Sequence, residues 1–185
     1  MVYPERWEMS HTFEDGTRVF FRPIKMTDEE MMKDLFYRLS EQTIYHRFFR
    51  SLKSMPHRDL VHFVHIDYTN EMGIVGIVQD AEKSEREEII CVGRYYLNRS
   101  TNIAEVSYLV RDDYQARGIG SYLVKYLARI ARENGIAGFE AEILADNPPA
   151  MKVLHKLGFP VETIASAGNY QLRVRFERPA PAAKA

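Results

Sequence analysis

The sequence predicts an α/β fold: one mixed, mostly antiparallel sheet with a single parallel strand pair and helices on both faces. Three observations predict it. The hydrophobic periodicity switches along the chain to give the order β-α-α-α-β-β-β-α-β-α-β-β. Across Val106–Ile143 a strand, a helix and a strand follow one another, the pattern of a right-handed crossover between parallel neighbours. Elsewhere the β runs are linked through loops such as the charged stretch "AEKSEREE", a solvated hairpin loop that allows antiparallel pairing.

Each element has a local reason. "TRVFFRPI" alternates around Val19 and Phe21, and Pro23 ends its ladder capacity. "TDEEMMKDLFYRLS" carries an apolar stripe through Met31, Leu35 and Leu39. Thr27 or Asp28 is its expected cap, with Glu30 at capping-box spacing from Thr27. A second short helix starts at the cap Ser40, and a third, "MPHRDLVHFVHID", turns Leu60, Phe63 and Val64 inward. "MGIVGIVQD", "EIICVGRYYLN" and "IAEVSYLVRDD" are strands. "GSYLVKYLARIAREN" is a helix closed by Gly135, and "GFEAEILAD" a strand. "NPPAMKVLHKLGF" is a helix capped by Asn147, with prolines in its first turn and Gly158 at its end. "VETIASA" and "YQLRVRFER" close the sheet. The N-terminal "MVYPERWEM" reads as a short arm that Trp7 docks, and "RPAPAAKA" as a frayed tail.

With 185 residues, 45% hydrophobic, the chain is expected to be one domain, residues 1–185, with a core at about 17–178 and a flexible tail at 179–185. Lys+Arg 25 against Asp+Glu 26 leaves a net charge of −1, which lacks the basic field of a nucleic-acid binder. No apolar run reaches the ~18 residues of a membrane span, and the N-terminus lacks the pattern of a signal peptide. Cys91, the single cysteine, excludes an internal disulfide and fits a reducing, cytoplasmic setting.

The chemistry points to "QARGIG", Gln115 to Gly120, between a strand and a helix. A helix start leaves amides unpaired and positive, and glycines let backbone approach a ligand, so the turn suits a phosphate or diphosphate. Arg117 could add a charge-assisted contact. A Walker-type loop does not fit the spacing, and Leu123 is too bulky for the third small residue of a dinucleotide fingerprint. The competing plain reading is a structural strand–helix turn.

Gln-x-x-Gly-x-Gly after a strand resembles the pyrophosphate loop of the GNAT superfamily of acyl-CoA-dependent N-acyltransferases. "NPPAMKVLHKLGF" resembles the same superfamily's later Asn-x-x-Ala…Gly-Phe helix, and the likeness runs from Thr17 to about Glu177. "FFRPI…DEEMMKDLFYRLSEQTIYHRFF" is similar to the acyltransferase domain of Pat-type bacterial protein-lysine acetyltransferases. The resemblance implies a GNAT-like sheet and direct transfer of an acetyl group from acetyl-CoA to an amine in a ternary complex, without a metal. The acceptor it suggests first is a protein lysine. A small-molecule amine and a non-catalytic acyl-CoA sensor are the alternatives.

The resemblance also implies roles. Main chain at Leu109 and Val110 would meet the pantetheine arm. Gln115, Arg117, Gly118, Ile119, Gly120 and Ser121 would form the diphosphate loop, and Asn147 would contact the cofactor arm. Glu105, on the strand leading to the loop and on one face with Ile103, Ser107 and Leu109, is the expected general base. Its plain alternative is a solvated or salt-bridged glutamate, and that of Asn147 is capping. Where many members carry a tyrosine that protonates the leaving thiolate, this chain has Leu154. His155 points elsewhere, and Tyr108, Tyr114 and Tyr122 remain as unranked donors. His57, His62 and His65 are read as ordinary histidines, Tyr122 and Tyr126 as core, and Cys91 as inert packing. The strand "YQLRVRFER" is offered as an edge that could pair two copies into a homodimer.

Overall fold

The computed structural model describes residues 2–79 and 86–176. The expected tail, and residues 81–85 of the charged loop, lie outside the described residues.

The chain runs β1 (Met9–Thr12), β2 (Arg18–Pro23), α1 (Glu29–Tyr37), α2 (Glu41–Phe48), α3 (His57–Val64), β3 (Glu71–Gln79), β4 (Glu87–Asn98) and β5 (Ile103–Val110). It continues with α4 (Ile119–Glu133), β6 (Gly138–Leu144), α5 (Pro148–His155), β7 (Val161–Ser166) and β8 (Asn169–Arg175). The described strands form one sheet in the order β1-β2-β3-β4-β5-β6-β8-β7. Every neighbouring pair is antiparallel except β5 and β6. The predicted fold class is therefore the observed one.

Alternation along the strands feeds two cores. On one face α4 and α5 cover Val106, Val110, Phe139 and Leu172, with Leu123, Leu127 and Leu154 pressed onto them. On the other, α1, α2 and α3 cover Val75, Ile77, Ile89 and Leu109. Glycines set how closely the layers meet. A Cβ on Gly93 would stand 2.8 Å from the Leu127 side chain, so α4 can lie close over β4.

The structure corrects four readings. The N-terminal segment is more than an arm: β1 pairs with β2, and Trp7 is buried, its carbonyl accepting a hydrogen bond from the Tyr126 hydroxyl at 2.9 Å. Four residues of alternating half-burial, with little apolar character, gave no strand signal. Asp28 stands at the start of α1 but makes no side-chain cap. It is buried, accepts both arms of the Arg22 guanidinium at 2.7 Å each, and accepts from the Lys25 main-chain N. Asp112 and Asp113 leave β5 and form a short 3-10 turn. Finally, β8 is an interior strand between β6 and β7, so Asn169–Arg175 do not present the free edge on which pairing between copies was argued.

Candidate active site

The parallel ladder is short. Ile103–Glu105 pair with Gly138–Glu140, and there the ladder ends. β5 runs on to Val110 and β6 to Leu144, so the two strands part toward their C-terminal ends and leave a split in the middle of the sheet. β5 stays paired to β4 along its full length, which holds one wall of the split rigid.

The glycine loop closes the wide end of this split. Ala116 and Gly118 both take positive φ, 60° and 84°, and turn the chain sharply into α4. Gly118 is the N-cap, and no side chain caps the helix. α2 and α5 differ: the Ser40 hydroxyl accepts from Thr43 N, and the Asn147 side chain accepts from Ala150 N. The first-turn amides of α4, at Ile119, Gly120 and Ser121, are thus left for something outside the helix. Gly120 serves a second need. A Cβ there would stand 3.1 Å from the Tyr108 ring, so glycine lets the helix start settle on β5.

The other loop side chains are held in place. Gln115 donates to the Val110 carbonyl at 2.9 Å and to the Thr43 hydroxyl at 3.1 Å, tying the loop to the end of β5 and to α2. Arg117 is exposed, bonded to the Asp113 carbonyl at 2.8 Å, paired with Asp15 at 3.2 Å and stacked over Tyr114. Asn147 stands just past β6, across the split, where its oxygen caps α5.

α2 straps the mouth of the split. At its start, Ser40 N and Oγ donate to Asp112 at 2.9 and 2.5 Å, and Thr43 Oγ1 donates to the same carboxylate at 2.8 Å. Further along, His46 Nε2 lies 3.3 Å from Asp146 Oδ1, beyond β6. Burial alone would raise Asp112, but these hydrogen bonds outweigh it and hold the carboxyl below its ordinary range.

Glu105 is exposed on β5, opposite Tyr96 of β4 and Glu140 of β6. Ser107 and Leu109, the next residues on its side of the strand, line a cleft of about 540 Å³, part of it open to solvent. The cleft lies under α1, α2 and α3. Its walls are largely apolar, with Phe36, Phe48 and Phe63 among them, and its two charged members are Arg47 and Arg94. Arg94 is matched by Glu71 at 3.0 Å. Arg47 is half-buried and has no carboxylate at ion-pair distance among the described residues. Burial first, and then the charge of Arg94, pull it down to about 10 while Glu105 pulls it up.

The sequence reading did not single out Arg47. It sits in a short polar helix whose spacing carries no chemical signature. Leu154 is buried in the core and His155 is exposed, so neither offers a proton at the split. Tyr108 is raised well above the ordinary phenol range by burial and lies beneath the loop. Tyr126 is core, whereas Tyr122 is half-buried and stacks on His11. Among the described residues no group of three or more His, Cys, Asp or Glu side chains is arranged to hold a metal, and no helix is long and apolar enough to cross a membrane.

Comparison with known proteins gives a consistent picture. Residues 30–159 match the model of the acetyltransferase (GNAT) family. The chain is 29% identical over 159 residues to Acetyltransferase PA5475 of Pseudomonas aeruginosa, covering 85% of this chain and 82% of that protein. It is 30% identical over 149 residues to Acetyltransferase Pat of Mycolicibacterium smegmatis, covering 77% of this chain but 41% of that longer protein. The crystal structure of the GNAT domain of S. lividans PAT superposes with a TM-score of 0.84 at 28% identity, over 95% of this chain and 100% of that one.

Proposed function

Because the chain belongs to the GNAT acetyltransferase family, we propose that it moves an acetyl group from acetyl-CoA to an amine by direct transfer in a ternary complex. The observation that carries this reading is the uncapped start of α4 beside the split in the sheet. The amides of Gly118, Ile119, Gly120 and Ser121 would bind the diphosphate, with the helix dipole adding to the attraction. Arg117 would have to exchange its Asp15 pair for a phosphate oxygen. Leu109 and Val110 would offer main chain to the pantetheine arm, and Gln115 would fix the loop in which the diphosphate lies. Asn147 would flank the arm from the β6 side.

Glu105 would take the proton from the acceptor ammonium, directly or through water. The freed nitrogen then forms its bond to the thioester carbonyl carbon as the carbon–sulfur bond breaks, and the thiolate leaves. Main-chain N–H groups in the split would steady the oxyanion. The nitrogen, which still carries one proton more than the amide, would release it to water, and with Leu154 in place of a tyrosine the thiolate would take its proton from water.

A protein lysine is the acceptor that similarity to Pat and to the S. lividans PAT domain supports. A small-molecule amine is the second reading, favoured by the partly open, apolar-walled cleft on the Glu105 side of β5. Calorimetry with coenzyme A and turnover of Glu105→Gln test the proposal together. Binding retained with transfer reduced at least about 100-fold supports it. A protein that binds coenzyme A yet acetylates neither lysine peptides nor simple amines would be a sensor.

A further inference from the structure

We propose that Arg47 anchors an acidic group on the acceptor, so that the cleft takes a small amino-carboxylate whose amine faces Glu105 and whose carboxylate pairs with Arg47. The inference rests on the acetyl-transfer reading, takes its second branch, a small-molecule amine in place of a protein lysine, and narrows that acceptor.

Three observations carry it. First, Arg47 and Arg94 are the charged side chains of an otherwise mainly apolar cleft, and Glu71 neutralises only Arg94. Arg47 instead lies over the Phe48 ring, 5.1 Å from its centroid, with no acidic partner among the described residues. A half-buried guanidinium without an anion is unfavourable, and a bidentate carboxylate relieves it. Second, Glu105 stands on the same side of β5 as Ser107 and Leu109, which line the cleft together with Arg47, and it makes no ion pair with Arg47 among the described residues. The region therefore offers a separated negative and positive group, complementary to an ammonium and a carboxylate on one molecule. Third, the acceptor side is set by the layers. The diphosphate loop opens α4, which packs on one face of the sheet, whereas Arg47 belongs to α2 on the opposite face. Burial and Arg94 already pull Arg47 down to about 10, and an anion beside it reverses that pull.

The test begins without acetyl-CoA. Isotope-labelled protein is titrated with hexanoate and with hexanol, and the Arg47 side-chain N–H and the Leu109 methyls are followed by NMR. Hexanoate is expected to bind about tenfold or more tighter than hexanol, and Arg47→Met to remove that preference while Arg47→Lys keeps part of it. Equal binding of the two, or a preference surviving in Arg47→Met, overturns the anchor. Circular dichroism confirms that each variant folds.

Turnover then assigns the ligand. The wild type is expected to acetylate ε-aminocaproate with a kcat/KM about tenfold or more above that of hexylamine, and Arg47→Met to lose the difference with affinity for acetyl-CoA unchanged. No preference, or no acetylation of either amine, overturns the acceptor assignment. A preference for succinyl-CoA over acetyl-CoA that depends on Arg47 does so too, because it gives the charge to the acyl group. Absence of coenzyme A binding by calorimetry sinks the transfer reading separately, and the hexanoate titration still decides whether Arg47 holds an acid.

Discussion

At the scale of single residues, the two glycines of the loop do different work, although they look alike in the sequence. Gly118 is needed for its positive φ; a Cβ there meets nothing closer than 3.9 Å. Gly118→Ala is therefore expected to cost about 1–2 kcal/mol of stability through backbone strain alone. Calorimetry should also show weaker coenzyme A binding, since the strain falls on the turn that aims the amides. A variant with unchanged urea midpoint would refute the strain argument. Cys91 provides a second check. Fully buried and pushed up to about 12 by desolvation, its thiol is expected to resist iodoacetamide at neutral pH in the native state and to react on unfolding, as read by mass spectrometry. The positions of Gly118, Gly120, Asn147 and Cys91 were legible because turn, cap and apolar context are local signals. Arg47 and the buried Arg22–Asp28 pair were not. Their meaning comes from which distant walls fold around them, and one-dimensional spacing does not carry that.

Among the elements, α2 is the one whose position couples the loop to the split. Its first turn is fixed to Asp112 through Ser40 and Thr43, and its later turn lies against Asp146. Ser40→Ala removes both the helix cap and one bond to Asp112, and is expected to destabilise α2 by about 1–2 kcal/mol. Hydrogen exchange should then quicken in α2 and coenzyme A should dissociate faster, while exchange in α4 is unchanged. Uniform loosening of both helices would show that α2 is not a separate strap. The sequence located α2 and its cap, because Ser40 precedes a helical run. It also located the crossover that makes β5 and β6 parallel. It could not give the early end of their ladder, which is a matter of how two strands diverge in space. It also missed β1, and it took β8 for an edge because strand order within a sheet depends on long-range pairing.

At the scale of the whole molecule, Glu88 joins three parts of the chain. It lies near the start of β4 and accepts from Arg38, which follows α1, at 2.7 Å, and from Arg111, which follows β5, at 3.0 Å. Burial alone would raise its carboxyl, but the two guanidinium hydrogen bonds outweigh burial and hold it below the ordinary carboxylate range. A carboxylate depressed in the folded state contributes stability that is fully present above its unfolded pKa, near 4.3, and is lost as pH falls through the lower folded value. Glu88→Gln keeps the shape and removes the charge. It is expected to lower stability at pH ~7 by about 2 kcal/mol, the size of hydrogen bonds to a charged group. The gap between wild type and variant should then narrow as pH falls below ~4, since protonation makes the wild type resemble the variant. Urea unfolding across that range measures both curves. A constant gap at all pH values would mean that Glu88 acts through packing, and parallel curves with no gap would mean that the junction between α1, β4 and β5 is held by its apolar contacts alone.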